Sequence, residues 1–514
     1  MSKNPQHKTG IFPFYPILFG VYPVLALMAY NISQIDLFVS YRSIIISAAL
    51  ALVLYSLLGL FMRNWARAAL LSLLLLFLFY SYGHIYMLLK NLTVAGINIG
   101  RHRTLLILWA GLAGLAAWIS TRNSLRLASV TTILNVVSLL MLVFPLYQIL
   151  EYEGRHYIPK PSDEKTNLIN TDPSAPHSAY PDIYYIILDA HGRTDTFKEM
   201  YGFDNSKFIQ ELAQRGFYVA ACSQSNYGYT ELSLASSFNM NYLDKISNPD
   251  LSNLVDVLQY NATRAFLKQR GYTIVAFETG FRWLQWEDAD VYYSLQNKIS
   301  VINNFETLYV ETTLLRLFYD YNMGTSLAKI AALHDQTTVL GYNILDHEQV
   351  IHTIDTLKKI PNSVPSPKFI YAHLLIPHEP FVFSPTGDYV PDRTTAEGRI
   401  AGYRDAVTFI DSAMLDVVDN IIAKSKIPPI IVIQGDHGPQ EYTIPYQHMR
   451  ILNAYYLPGA TNLLYPSITP VNTFRVILDS TFGQHLPLLE DASWFSPHST
   501  PHANFTIVPN DCGK

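Results

Sequence analysis

The sequence predicts a membrane-anchored α/β protein: a bundle of about five transmembrane helices at residues 1–150, a linker at 151–180, and an α/β domain at 181–514. Three observations carry this. The composition is uneven, overwhelmingly apolar with few acids from about residue 11 to about 150, and ordinary globular sequence beyond about 160. Strand-like and helix-like pieces alternate through the second part. Two apolar, β-branched runs there stop at an acid, which is how a sheet delivers ligands to its carboxyl edge.

Apolar stretches near 12–32, 43–62, 67–89, 104–120 and 128–149 are long enough, or nearly so, to cross a bilayer. A cleaved signal peptide would explain the first stretch but not a series of five. With the N-terminus inside, cytoplasmic segments hold Lys3, Lys8, Arg63, Arg67, Arg122 and Arg126, against Arg42, Lys90, Arg101 and Arg103 outside. Five spans then make a multi-pass protein of the inner (cytoplasmic) membrane, with everything after residue 150 extracytoplasmic (periplasmic). Residues 151–180 are polar and Pro-rich, the composition of a juxtamembrane linker.

Strands are expected at 183–189, 273–277, 368–376 and 429–435, and helices at 205–215, 231–240, 250–270, 346–359 and 470–480. A further helix at 399–424 is marked by Tyr403, Val407, Ile410, Met414, Val417 and Ile421 at helical spacing. The net charge of −5 offers no general basic surface, so nucleic acid is not an expected partner. Cys222 and Cys512 are the only cysteines. They could pair in an oxidising compartment, but one pair is no disulfide framework, and the expectation is one small buried thiol and one tail residue.

The site candidates follow the strand ends. Asp189 closes Ile-Tyr-Tyr-Ile-Ile-Leu-Asp, and Asp436–His437 follow Ile-Ile-Val-Ile-Gln-Gly. A lone strand-end Asp can cap the next helix, but the Gly-Asp-His-Gly turn repeats the arrangement with glycines that allow close backbone approach. Thr230 opens a helix-like segment. It reads either as an N-cap or as a hydroxyl in the positive field of a helix start. Carboxylates, an imidazole and a hydroxyl together suit a divalent cation, with zinc, manganese and magnesium all admitted. His378, between two prolines after a strand, could contact a phosphoryl oxygen or protonate a leaving group. His448 and Arg450 could grip an anion, and His373 reads as structural.

The order Leu-Asp189, Thr230-x-x-Ser, Pro-His378-x-Pro-Phe and Gly-Asp436-His437-Gly resembles the alkaline-phosphatase/sulfatase superfamily. The similarity is greatest to its membrane-anchored lipoteichoic acid synthases and phosphoethanolamine transferases. It implies an alkaline-phosphatase-like (sulfatase-like) domain in which Asp189, Thr230, Asp436 and His437 bind one divalent metal. It also implies that Thr230 is the nucleophile, with His378 and His448 contacting the substrate phosphate. Cys222 heads Cys-Ser-Gln-Ser-Asn, without the Pro and Arg that precede formylglycine conversion in sulfatases. Ala190 stands where two-metal members carry a further Asp.

The expected function is therefore transfer of a phosphoryl-type group, phosphoethanolamine or phosphoglycerol in class, from a membrane lipid donor to an envelope glycan or lipid acceptor. Two alternatives stay open on sequence grounds: a phosphatase, phosphodiesterase or sulfatase-like hydrolase, and a non-catalytic membrane binding or scaffold protein.

Overall fold

The computed structural model describes residues 11–32, 37–90, 92–94, 97–122, 127–157, 180–248, 251, 253–295, 304–320, 341–391, 393, 395–439, 445–497, 504–510 and 512. The chain forms two compact units, one of residues 1–159 with 299–342, the other of 160–298 with 343–514.

The first unit holds five apolar helices: α1 (Tyr15–Tyr30), α2 (Tyr41–Met62), α3 (Trp65–Leu89), α4 (His102–Thr121) and α5 (Leu127–Tyr157). The last four are long and apolar enough to cross a membrane, while α1 has 16 residues. Polar atoms inside this bundle are used as fasteners. Asn135 Oδ1 accepts the backbone N–H groups of Phe14 and Tyr15 at 3.1 Å, satisfying the start of α1 from α5. Where α1 crosses α2, a Cβ on Gly20 would lie 2.6 Å from that of Ala51, so the helices meet only because this position has no side chain.

The helices Asn304–Thr312 and Arg316–Asp320 belong to this same unit. Arg42 donates to both carboxylate oxygens of Glu306 at 2.7 Å, Tyr309 donates to Ser47 at 3.1 Å, and Asp320 lies 2.9 Å from His102 Nε2. A Cβ on Gly83 would come within 2.1 Å of the Glu311 carbonyl, so α3 is notched where the segment lies against it.

The second unit is built on a seven-stranded sheet: β1 (Ile183–Leu188), β2 (Tyr218–Val219), β3 (Thr273–Phe277), β4 (Val291–Tyr293), β5 (Lys368–Leu374), β6 (Ile430–Gln434) and β7 (Asn453–Tyr456). Their order is β2-β7-β6-β1-β5-β3-β4, parallel except for the antiparallel β7 and its neighbours. Alternate residues of β1 enter opposite cores. Ile183, Tyr185 and Ile187 pack with α7 (Thr230–Asn239) and α9 (Pro470–Phe482), and Tyr184, Ile186 and Leu188 with α8 (Ala396–Lys424). Burial on both faces is why these strands read as unbroken apolar runs. The four expected strands are present. The expected helix at 250–270 is broken into Leu254–Gln259 and Ala262–Gln269, where Asn261 caps the second piece.

Candidate active site

In the parallel pairing of β1 and β6, Ile187 stands opposite Gln434. Two residues further along both strands lie Asp189 and Asp436, so sheet register alone brings the acids to one edge. Asp189 is fixed by its N–H to the Leu374 carbonyl (3.0 Å), and the next residue, Ala190, takes a left-handed conformation (φ 63°) and donates to Asp436 Oδ1 at 3.1 Å. The turn after β6 is equally tight. A Cβ on Gly435 would meet the His191 carbonyl at 2.3 Å, and Gly438 donates to the His448 carbonyl at 2.7 Å.

Asp189, Asp436 and His437 are all buried, and each offers one ligand atom within 4.8 Å of the others. His437 Nε2 lies 3.4 Å from Asp189 Oδ1, 3.7 Å from Asp436 Oδ2 and 3.3 Å from Thr230 Oγ1. Its Nδ1 faces the Gly438 carbonyl at 2.8 Å, which holds a proton on Nδ1 and turns Nε2 to the acids. Thr230 is the first residue of α7, and Tyr229 is its cap. Thr230 therefore does not serve as the N-cap, the bland reading of its position, and its hydroxyl faces the acid cluster.

Burial alone would push the Asp189 carboxyl up; the charges of His378, His373 and His437 outweigh it and hold it well below the usual range. For His437 burial pushes down, but Asp436 and Asp189 push up more strongly, so its imidazole is raised. Among the described residues, Asp189 Oδ1 and Oδ2 and Asp436 Oδ2 are buried without a hydrogen-bond partner. Buried acceptors of this kind suit a cation, and an O,O,N donor set with an adjacent hydroxyl fits a divalent metal.

His378 donates its backbone N–H to the Asp189 carbonyl at 3.1 Å, and its ring centre is 6.3 Å from that of His437. His448 is fully buried, with Nδ1 2.8 Å from the Pro439 carbonyl and Nε2 2.6 Å from the Gly228 carbonyl. It thus bridges the loop after β6 and the loop leading to Thr230. Arg450 is buried too, and its guanidinium bonds Glu199 at 2.8 Å and lies 3.4 Å from Asp195, so two carboxylates already face it. His373, read as structural from sequence, lies in β5 with Nε2 3.3 Å from Asp189 Oδ2. The available signal was a polar residue inside an otherwise apolar strand end. The expectation of separate cysteine roles is overturned: Cys222 and Cys512 form a disulfide, with 5.3 Å between Cα atoms.

Register-paired acids at the carboxyl edge of an α/β sheet, a buried Asp-Asp-His cluster and a helix-start hydroxyl define an alkaline-phosphatase-like enzyme site. The sulfatase family model matches residues 181–475, more than half of the chain, and the chain belongs to the sulfatase family. It is a membrane-anchored, sulfatase-like enzyme. Among solved structures it is similar to the C-terminal periplasmic domain of EcEptC from Escherichia coli in complex with Zn, at 12% identity over 67% of this chain and 96% of that one (TM-score 0.45). It is also similar to the integral membrane lipooligosaccharide phosphoethanolamine transferase A from Neisseria meningitidis, at 11% identity over 92% of this chain and 95% of that one (TM-score 0.39). A third, the 2-O GAG sulfatase BT1596, is 11% identical over 62% of this chain and 78% of that one (TM-score 0.38). No curated protein matches the chain in sequence.

Proposed function

We propose that this protein is an inner-membrane transferase that moves a phosphoryl-type group, phosphoethanolamine or phosphoglycerol in class, from a lipid donor to an envelope glycan or lipid through a covalent Thr230 intermediate. The observation that carries the reading is the Thr230 hydroxyl, at a helix start and 3.3 Å from His437 Nε2, on the rim of the unsatisfied acid cluster. Cys222 supports phosphoryl over sulfuryl chemistry, because its sulfur is tied up in the disulfide and is not a formylglycine precursor. That pairing also fits an extracytoplasmic compartment.

Asp189, Asp436, His437 and Thr230 would hold one divalent cation. Such an ion supplies charge neutralisation at phosphoryl oxygens and lowers the pKa of an adjacent hydroxyl. The chain's own residues do the rest. Thr230, its hydroxyl proton already given up to solvent, attacks phosphorus in line through Oγ, its bond to phosphorus forming as the bond to the lipid alcohol breaks, and it departs in the second step as the same alkoxide. His378, at the mouth with Nδ1 against the Glu379 carbonyl, presents Nε2 to give the leaving oxygen its proton. An acceptor hydroxyl then attacks phosphorus, loses its proton to the same imidazole, and frees Thr230. Attachment to membrane helices raises the effective concentration of a lipid donor.

Intact-mass analysis of the full chain after incubation with phospholipid tests this. A phosphoryl-type adduct is expected on the wild type and not on Thr230→Ala, its mass naming the group. An equal adduct on the variant refutes the nucleophile, and release of the group without any acceptor moves the assignment to a hydrolase.

A further inference from the structure

We propose that a cavity beside His378, walled by Tyr201, Phe381 and Tyr403, is the subsite that seats a neutral sugar ring of the acceptor. The inference deepens the transfer reaction above and rests on it for the word acceptor. Ala190 and His378 are among the residues that line this cavity, which has a volume of about 190 Å³. Ala190 is the residue after Asp189, and His378 is bonded through its backbone to Asp189, so the cavity adjoins the acid cluster.

Its walls are fixed independently of any ligand. The buried Tyr403 hydroxyl donates to the Ala190 carbonyl at 2.8 Å. Tyr201 stacks on Tyr403 with ring centres 4.5 Å apart and planes at 21°, and Phe381 meets Tyr403 edge-on at 6.1 Å. A Cβ on Gly402 would fall 2.5 Å from the Cβ of Phe381, so α8 presses on that wall without a side chain between.

The polar groups decide what fits. Glu379 and Arg399 also line the cavity and are ion-paired to each other, and the Arg399 guanidinium lies 5.6 Å from the centre of the Phe381 ring. An ammonium group would have to take Glu379 from Arg399, and a second phosphate would face the Glu379 charge. A lipid tail would desolvate the ion pair without replacing its hydrogen bonds. A neutral polyhydroxylated ring meets every requirement: its C–H faces lie against aromatic rings, while neighbouring hydroxyls donate to the carboxylate and accept from the guanidinium.

The test is saturation-transfer NMR on the full-length protein in detergent, with methyl N-acetyl-β-D-glucosaminide and, separately, O-phosphoethanolamine as probes. The glycoside's ring protons should be saturated by the wild type, with binding about tenfold weaker in Arg399→Ala, the loss expected from one charge-assisted hydrogen bond. Tyr201→Ala, at a partly exposed position, should weaken it as well. The subsite is refuted if the glycoside is not saturated, if neither substitution weakens it, or if both substitutions instead release phosphoethanolamine. Because no donor is present, the result stands apart from the Thr230 adduct. A wild type that binds the glycoside but forms no adduct refutes the transfer and keeps the subsite, and the converse refutes the subsite alone.

Discussion

Three carboxylate oxygens, Asp189 Oδ1 and Oδ2 and Asp436 Oδ2, lie buried at one sheet edge without hydrogen bonds among the described residues. Each such atom costs about 1–3 kcal/mol when left unsatisfied, more when charged, so a cation bound there would relieve a cost that the fold alone does not. Asp436→Asn should therefore reduce bound metal from stoichiometric to background by elemental analysis. Chelation should lower the melting temperature of the wild type and leave the variant almost unmoved. His448 titrates in the other direction from His437: burial and the neighbouring His437 charge outweigh the Pro439 and Gly228 carbonyls that face its nitrogens and push its imidazole from 6.5 down to about 4. Between those values the unfolded chain takes up a proton that the folded chain refuses. The stability supplied by the neutral ring is thus complete above 6.5 and is lost as pH falls toward 4. Replacing it, as in His448→Gln, should flatten the fall in melting temperature between about pH 7 and about pH 5, where the wild type loses about 2 kcal/mol. That Asp189, Asp436 and His437 lie together was legible because two apolar runs end at the turns that hold them. His373 was not, because nothing in a linear strand says which neighbour its side chain will face.

Short turns at the strand ends position these residues. Gly435 has the His191 carbonyl 2.3 Å from where a Cβ would be, and a backbone oxygen cannot swing aside as a side-chain tip can. The change Gly435→Ala should cost about 1–3 kcal/mol in chemical denaturation and weaken metal binding with it, since His191 and Asp189 share one turn. Elements buried on both faces were readable from sequence: β1, β3, β5 and β6 coincide with expected strands to within two residues. The two-residue β2 and three-residue β4 were missed because they are too short for any period to show. The antiparallel β7, Asn453–Tyr456, was missed for a different reason: its Asn453 and tyrosines find partners only after folding, as when Tyr455 pairs with Thr473 at 2.8 Å.

Across the whole molecule, the Cys222–Cys512 bond joins residues 290 positions apart and ties the end of the second unit to the loop that leads to Thr230. Closing so long a loop in the unfolded chain is worth up to about 5 kcal/mol on the chain-entropy model, less any strain. Reductant should accordingly lower the melting temperature of the wild type and not that of Cys222→Ser/Cys512→Ser. Equal sensitivity of the two proteins would mean that the bond contributes nothing. Within the first unit, Arg42–Glu306 and His102–Asp320 fasten residues 304–320 to the apolar helices. Charges in that segment look like ordinary surface in the sequence, and their partners lie more than 200 residues away.

By itself, the sequence determined the local and periodic properties: five apolar helices, an α/β domain after them, and acids at two strand ends. These follow from burial patterns that neighbouring residues impose on one another. Tertiary structure alone decided which polar groups meet. Register placed Asp189 beside Asp436, a left-handed Ala190 turned its N–H onto Asp436, and chain return put His373, the Tyr403 cavity and residues 304–320 where they are. Hydrogen bonds and ion pairs act over a few ångströms of space, and distance along the chain does not encode that.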